Sequence, residues 1–206
     1  AEALALLAAA GIATIATRRV ASESELRAAC RDLGFPVALK TAAGHAHKSD
    51  VGGVVLGLAD ESAVLAAYKE ISGRLGPAVT VQAMAARGVE LALGVVNDPD
   101  FGPVVMAASG GVLIELLDDR VFELAPVDLG RAAAMIRHLK ISRLLDGYRG
   151  APAADRAALA DMITRLSRLA LELRDEIAAI DLNPVIATAA GATAVDALIT
   201  FKEKKD

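Results

Sequence analysis

Two aspartates and an asparagine near the end of the chain form a candidate metal site. Asp181 and Asn183 lie two residues apart in "IDLNPV", so on a strand they would share one face. A turn centred on Ala189 and Ala190 would place Asp196 directly opposite Asn183 on the next strand. Carboxylate and amide oxygens suit Mg²⁺, which keeps several waters and shares its other positions with substrate phosphates. The alternative is that Asp181 and Asn183 only open a turn before the following proline.

The stretch "HAHKSDVGG", residues 45–53, places two histidines and a glycine pair between two strand-like runs. A nucleophilic imidazole on such a loop can take up a phosphoryl group. His45 and His47 alternate, but no cysteine or third histidine stands nearby to complete a zinc site. The setting is therefore more consistent with phosphoryl transfer than with zinc binding.

Two further features suit an anionic ligand, and each also has a purely structural explanation. Lys40 ends the strand-like run "PVALK", where its ammonium group could reach a phosphate, although most such lysines are simply solvated. Gly110 and Gly111 precede another strand-like run and would let backbone N–H groups approach an anion, but a tight turn explains them equally well. The chain contains no Walker A sequence and no dinucleotide-binding glycine pattern.

The elements that must position these residues mix helices and strands. Ser22 and Glu25 match a capping box at the start of a helix that ends at Gly34, and Asp60 matches the N-cap of the next helix. Strand-like runs follow, and residues 128–176 then turn helical before a final hairpin. The runs are "AVTVQAMA", "VELALGVV", "GPVVMAA" and "VLIELL". This mixture predicts an α+β fold with two lobes and a cleft between them.

The composition argues against several classes of protein. A net charge of −4 gives no electrostatic reason to expect nucleic acid or an anionic membrane as a partner. A single cysteine, Cys30, excludes an internal disulfide and suits a reducing compartment. No apolar run is long enough to span a bilayer, and the apolar N-terminal stretch lacks the basic residues that begin a signal peptide. We therefore expect a cytoplasmic protein.

Several segments together resemble the ATP-grasp part of the NDP-forming acyl-CoA synthetases, of which ADP-forming acetyl-CoA synthetase is the best-known member. The segments are "GFPVALKTAAGHAHKSDVGGVVLGLAD", "GVELALGVVNDPDFGPVVMAASGGVLIELLDD", "LLDGYRG" and "IDLNPVIATAAGATAVDAL". The resemblance covers nearly the whole chain. It implies a single ATP-grasp domain over residues 1–206, with a small lobe at 15–85 and a large lobe at 86–206 that also includes the N-terminal helix at 1–14.

The resemblance also implies a role for each candidate residue. His47 matches the phosphohistidine of the "HKSD" motif, and Lys40 matches a lysine that contacts the nucleotide phosphates. Asn183 and Asp196 match the magnesium ligands, in agreement with the register argument. Asp181 matches an acidic residue near the phosphohistidine or metal. Glu90 matches a residue near the nucleotide-binding edge. Gly110 and Gly111 match a glycine loop close to the phosphates. Ala108 and Ser109 stand where the family more commonly has a glycine and an apolar residue.

The implied activity is that of an acid–thiol ligase, which interconverts acyl-CoA, ADP and phosphate with a carboxylic acid, CoA and ATP through a phosphohistidine. The chain contains no CoA-binding Rossmann-like domain and no flavodoxin-like domain, so the resemblance implies that turnover needs a partner half that carries them. One alternative is a non-catalytic, nucleotide-sensing domain of a fused protein acetyltransferase, which the departure at Ala108 and Ser109 leaves open. A carboxylate–amine ligase of the ATP-grasp class is a further alternative, but such an enzyme has no need of the "HKSD" segment.

Overall fold

The computed structural model describes residues 1–42, 52–111 and 117–202. The helices are α1 (Glu2–Ala9), α2 (Glu23–Leu33), α3 (Glu61–Leu75), α4 (Leu129–His138), α5 (Ser142–Leu145) and α6 (Arg156–Glu172). The strands are β1 (Thr17–Val20), β2 (Val37–Thr41), β3 (Val54–Leu58), β4 (Val79–Ala83), β5 (Val89–Asp98), β6 (Gly102–Ser109), β7 (Arg120–Leu124), β8 (Ile177–Thr188), β9 (Gly191–Ala194) and β10 (Leu198–Phe201). His47 and nearly all of the predicted strand "VLIELL" lie outside the described residues.

One compact unit comprises Ala1 and Ile15–Ala85. Its sheet is antiparallel, with the strand order β1-β4-β2-β3, and helices α2 and α3 pack against it. Because side chains alternate along a strand, the apolar residues of this sheet that contact the helices occupy one face. The core of the unit combines helix residues with strand residues, among them Leu26, Cys30, Ile71, Leu39 and Val81. Cys30 is therefore a core residue of α2.

The ends of α2 and α3 follow from their capping residues. The Ser22 hydroxyl accepts a hydrogen bond from the Glu25 N–H, and α2 ends at Gly34, whose φ of 73° is easily adopted only by glycine. The Glu25 carboxylate in turn accepts from the Ala21 N–H at 2.8 Å. The Asp60 carboxylate accepts from the Ala63 N–H at 2.9 Å at the start of α3. The helix starts predicted from these caps are confirmed.

The other unit comprises Glu2–Thr14 and Ala86–Asp206. Its antiparallel sheet has the order β10-β8-β5-β6-β7, and β9 also pairs with β8. Helix α6 packs against this sheet and against α4, and its buried residues include Leu159, Ile163 and Leu166. Across the described ranges, no helix has the length and apolar character needed to cross a membrane.

Two features of this sheet differ from the sequence-based prediction. The sequence does not indicate β7, which among the described strands pairs with β6 alone and leaves Phe122 and Leu124 largely exposed. The final hairpin is predicted as two strands, but its second strand is divided into β9 and β10. Both pieces pair with β8, and residues 195–197 connect them. Pairing with the long strand β8 determines where β9 ends and β10 begins, and the local sequence does not predict this division.

Two fully buried serines of this unit differ in their hydrogen bonding. The Ser167 hydroxyl accepts a hydrogen bond from the Val127 N–H at 2.8 Å and so links α6 to the segment before α4. The Ser109 hydroxyl, at the end of β6, has no hydrogen-bond partner among the described residues. A buried polar group without a hydrogen-bond partner lowers the stability of the fold, because no hydrogen bond offsets the free energy of removing the group from water.

We expect Ser167→Ala to lower the free energy of unfolding by about 1–3 kcal/mol, because the buried Val127 N–H would lose its acceptor. We expect Ser109→Ala, which removes an unpartnered hydroxyl, to leave the stability unchanged or raise it. Urea denaturation of the two variants and the wild type measures both effects. Equal losses of stability from the two substitutions would contradict this account.

Candidate functional site

The pairing of β8 with β9 and β10 places Asp196 opposite Asn183. Val185 pairs with Ala194 on one side, and Asp181 pairs with Leu198 on the other. If the residues of both strands are counted from either of these pairs, Asn183 and Asp196 lie directly opposite each other. The Val195 N–H also donates to the Pro184 carbonyl at 2.9 Å, which continues the same register. The hairpin register predicted from the sequence is therefore confirmed.

Asp181 and Asn183 lie on the same face of β8. Both are exposed, whereas Leu182 between them is fully buried. Asp196 lies in the connection between β9 and β10, where the ladder to β8 is interrupted, and its own carboxylate accepts from the Ala197 N–H at 2.9 Å. The interruption brings two carboxylates and one amide together beside the edge of the hairpin.

The two carboxylates of this cluster interact electrostatically. Although Asp181 is exposed as a residue, partial desolvation of its carboxyl group raises its pKa above the ordinary value, and the negative charge of Asp196 raises that pKa further. A divalent cation between the two groups would relieve this repulsion. The part of the chain that the structure describes holds no group of three or more His, Cys, Asp or Glu side chains that could bind a metal. The donor set is thus two carboxylates and an amide, which suits Mg²⁺ because it leaves positions for water and phosphate oxygens.

Glu90, Gly110 and Gly111 lie together at the start of β5 and the end of β6. The Gly110 N–H donates to the Glu90 carbonyl at 2.9 Å. A Cβ atom on Gly110 would come within 2.7 Å of the Glu90 carbonyl carbon, and one on Gly111 would come within 2.8 Å of the Glu90 carboxylate. The backbone of Glu90 therefore excludes a side chain at Gly110, whereas at Gly111 the φ of 58° favours glycine and the Glu90 carboxylate could move aside; both constraints are independent of any anion.

These three residues line a pocket of about 620 Å³ in the same unit. Most of its wall is apolar, and Arg87 and the ring of Tyr148 also line it. The sequence-based prediction does not include Arg87 or Tyr148. The sequence signal that could have identified Tyr148 is the segment "LLDGYRG", in which a glycine lies on either side of Tyr148 and Arg149. In the structure Gly147, Arg149 and Gly150 all have positive φ, and Tyr148 lies in the tight loop that they form. Asp181, Asn183 and Asp196 do not line this pocket.

Lys40 belongs to the other unit. It is the fourth residue of β2, only 9% exposed, and pairs with Thr80 on β4 and Val54 on β3. His47 cannot be placed, because it lies outside the described residues. The structure thus brings the predicted metal ligands together and the predicted nucleotide-edge residues together, as two separate groups within one unit.

The sequence matches the family profile of the ATP-grasp domain over residues 1–201. The chain belongs to the ATP-grasp domain family. The α+β fold with two units of helix and sheet, predicted from the sequence, is confirmed by this match and by the structural similarities that follow.

Its relatives are ADP-forming acyl-CoA synthetases. The ATP-grasp chain is 37% identical to the beta subunit of acetate–CoA ligase (ADP-forming) I of Pyrococcus furiosus, with 81% of this chain and 75% of that subunit aligned. It is also 37% identical to the acetate–CoA ligase (ADP-forming) I of Archaeoglobus fulgidus, with 99% of this chain aligned. The ATP-grasp chain spans only 31% of the length of that second protein.

Solved structures show the same similarity. The ATP-grasp chain superposes on a chain of acetyl-coenzyme A synthetase 1 of Candidatus Korarchaeum cryptofilum with a TM-score of 0.91 and 40% identity, covering 98% of this chain and 91% of that one. That protein was solved in complex with coenzyme A and Ca-AMPCP. A further structure of it holds Mg-AMPPCP, with a phosphohistidine segment that points towards the nucleotide binding site.

We expect Asp196→Asn to lower the pKa of Asp181 in the metal-free chain, because the substitution removes the neighbouring negative charge. The pKa of Asp181 should remain above its ordinary value, because burial is the larger cause of the shift. Carboxyl ¹³C NMR titration measures both values. Asp32→Asn, an exposed change in the other unit, is the control and should leave the Asp181 titration unchanged.

The raised pKa also determines how stability depends on pH. A carboxyl whose pKa is higher in the folded state favours folding when it is protonated, and this contribution is lost as the pH rises through the raised pKa. Asp181→Asn should therefore increase the free energy of unfolding above that raised pKa and have no such effect below the ordinary pKa of aspartate. A stabilisation that persists in full at the acid end would contradict the electrostatic explanation.

Proposed function

We propose that this ATP-grasp chain is the nucleotide-binding, phosphoryl-transferring part of an ADP-forming acyl-CoA synthetase. The complete enzyme would interconvert a carboxylic acid, CoA and ATP with acyl-CoA, ADP and phosphate. The observation that carries the proposal is the oxygen-ligand cluster of Asp181, Asn183 and Asp196, found in a chain 37% identical to a synthetase beta subunit. The cluster would provide a site for the cation that neutralises phosphate charge during phosphoryl transfer.

Asn183 and Asp196 would hold Mg²⁺, with Asp181 beside them. The bound ion would supply charge neutralisation for the phosphates of ATP or ADP. Lys40 would contact the same phosphates, because its ammonium is a compact point charge at a buried position. Glu90, Gly110 and Gly111 would border the nucleotide at the pocket beside the start of β5. Catalysis by these groups would consist mainly of positioning and electrostatic stabilisation.

His47 would be the group that accepts phosphate. A ring nitrogen would attack the terminal phosphorus of ATP, a P–N bond would form, and the P–O bond to the leaving ADP would break. The phosphohistidine would then pass its phosphoryl group to the carboxylic acid in a second active site. The similarity to a beta subunit, and the 31% share of a longer relative, favour a partner half that carries the CoA-binding and flavodoxin-like domains.

We expect the chain to bind ADP and ATP more tightly with Mg²⁺ than without it. Lys40→Ala should weaken binding about 10-fold or more, because one charge-assisted contact to phosphate is lost. Asp196→Ala should remove most of the enhancement by Mg²⁺, because the ion loses a carboxylate ligand. Isothermal titration calorimetry with each nucleotide, with and without Mg²⁺, measures these effects.

Lys69→Ala and Asp32→Ala serve as matched controls, because both side chains are exposed and lie on helices that carry none of the proposed ligands. Neither control should change nucleotide affinity. Absence of Mg²⁺-dependent binding by the chain, both alone and with a CoA-binding half added, would refute the proposed function.

We expect His47→Ala to abolish acyl-CoA synthesis in the enzyme assembled with its CoA-binding half, while nucleotide binding stays largely intact. The imidazole is needed to carry phosphate between sites but not to hold the nucleotide. His138→Ala is the matched control, because His138 is exposed on α4 and has no assigned role. Synthesis at the wild-type rate by the His47 variant would show that phosphate takes another route.

A further inference from the structure

The pocket beside Glu90 has two walls that come from different parts of the chain. Gly110 and Gly111, at the end of β6, form one of them, which we call the glycine wall. Ile141 and Tyr148, on either side of the short helix α5, belong to the other, which we call the α5 wall. The shape of the pocket therefore depends on what holds these two walls in position relative to each other.

Asp119 contacts both walls. It lies directly before β7 and is only 3% exposed. Its backbone carbonyl accepts a hydrogen bond at 3.0 Å from the N–H of Ser109, which precedes the glycine wall. One carboxylate oxygen accepts from the Lys140 N–H at 2.7 Å, and the other accepts from the Ile141 N–H at 3.1 Å. A single buried residue thus joins the glycine wall to the α5 wall.

The hydrogen bonds that begin at Asp119 continue along α5 as far as the residue before Tyr148. The Leu144 N–H donates to the Ile141 carbonyl at 2.8 Å, and the Gly147 N–H donates to the Leu144 carbonyl at 3.2 Å. Helix α5 has only four residues, and an isolated helix of this length is not stable in water. Its position therefore depends on contacts with the rest of the fold, among them those with Asp119.

The carboxylate makes these contacts firm. Both oxygens of Asp119 accept from N–H groups, which is the hydrogen bonding of an ionised carboxylate. Removing such a group from water is costly, and its hydrogen bonds offset that cost. Hydrogen bonds to an ionised acceptor are also stronger than those between neutral groups. Asp119 therefore holds Ile141 more firmly than a neutral side chain would.

Arg156 also contacts the region of α5, but on one side only. Its guanidinium donates to the Ser142 carbonyl at 2.6 Å and forms an ion pair with Asp146 at 2.9 Å. Both of these partners belong to the α5 side of the pocket. Asp119 differs because its contacts extend to the glycine wall as well.

We propose that Asp119 is a positioning residue, which holds the glycine wall and the α5 wall of the pocket at a fixed separation. Asp119 is not among the residues that line the pocket, so it would act through Ile141 and Tyr148. Loss of its carboxylate would release the start of α5 and change the position of Tyr148. The identity of the ligand as ATP or ADP rests on the proposed function, whereas the effect on the pocket walls does not.

Tyrosine NMR tests this inference without any ligand. The chain contains two tyrosines, of which Tyr148 lines the pocket and Tyr68 lies in the core of the other unit. Asp119→Ala should shift or broaden the ring signals of Tyr148 and leave those of Tyr68 unchanged. Asp119→Asn, which keeps one acceptor oxygen, should have a smaller effect. Tyr148→Phe assigns the two sets of signals.

Ser167→Ala is the matched control for Asp119→Ala. It also removes a buried side-chain acceptor from a backbone N–H in the same unit, but Ser167 does not line the pocket. It should leave the Tyr148 signals unchanged even where it lowers stability as much as Asp119→Ala does. Urea denaturation verifies that each variant is folded, and Asp119→Asn carries the test if Asp119→Ala is unfolded.

Calorimetric titration with ADP tests the consequence for binding. Asp119→Ala should weaken ADP binding by about 10-fold, similar to the loss that follows when an outer-shell partner is removed from a metal site. The factor by which Mg²⁺ enhances binding should stay unchanged, because Asp181, Asn183 and Asp196 do not line the pocket. A purely structural role for Asp119 would lower the melting temperature without this selective loss of affinity.

The outcomes separate this inference from the proposed function. Unchanged Tyr148 signals in a folded Asp119 variant, or equal changes in Ser167→Ala, would overturn the positioning role. Altered Tyr148 signals with unchanged ADP affinity would support that role and show that the nucleotide binds elsewhere. If the wild type binds no nucleotide, alone or with a CoA-binding half, while Tyr148 still responds to Asp119, the positioning role is supported and the proposed function is refuted.

Discussion

The candidate metal site depends on the register of one long strand. Strand β8 pairs with β5 on one edge and with β9 and β10 on the other. A shift of one residue would turn Asp181 and Asn183 towards the core and expose Leu182, which is fully buried. The burial of alternate apolar residues along β8 thus also orients the two polar ones. The same register brings Asp196 opposite Asn183, in the segment where the ladder to β8 is interrupted.

The carboxylates of the large sheet have a physical reason to bind a cation. Partial desolvation raises the pKa of Asp181, and the negative charge of Asp196 raises that pKa further. A cation beside the two groups would relieve their repulsion. Under the proposed function this cation is Mg²⁺, whose charge would offset that of the phosphates during phosphoryl transfer.

The glycine loop shows how a sequence pattern can have more than one physical cause. Gly110 and Gly111 suggest backbone N–H groups that approach an anion, yet the backbone of Glu90 already excludes a side chain at Gly110, and the φ of 58° at Gly111 already favours glycine. Ser109 next to them carries a buried hydroxyl that has no partner in the described part of the chain. Packing against Glu90 therefore constrains this loop strongly, and its contribution to phosphate binding is a separate question for experiment.

The sequence by itself determined the features that depend on short-range chemistry. Capping residues set the starts of α2 and α3, and the turn at Ala189 and Ala190 set the register that opposes Asn183 and Asp196, because both act over a few residues. Only the tertiary structure decided the division of the last strand into β9 and β10, the edge strand β7 and the pocket lined by Tyr148. These features arise from pairing between residues far apart in the chain, and local propensity carries no record of which distant strand will be the neighbour.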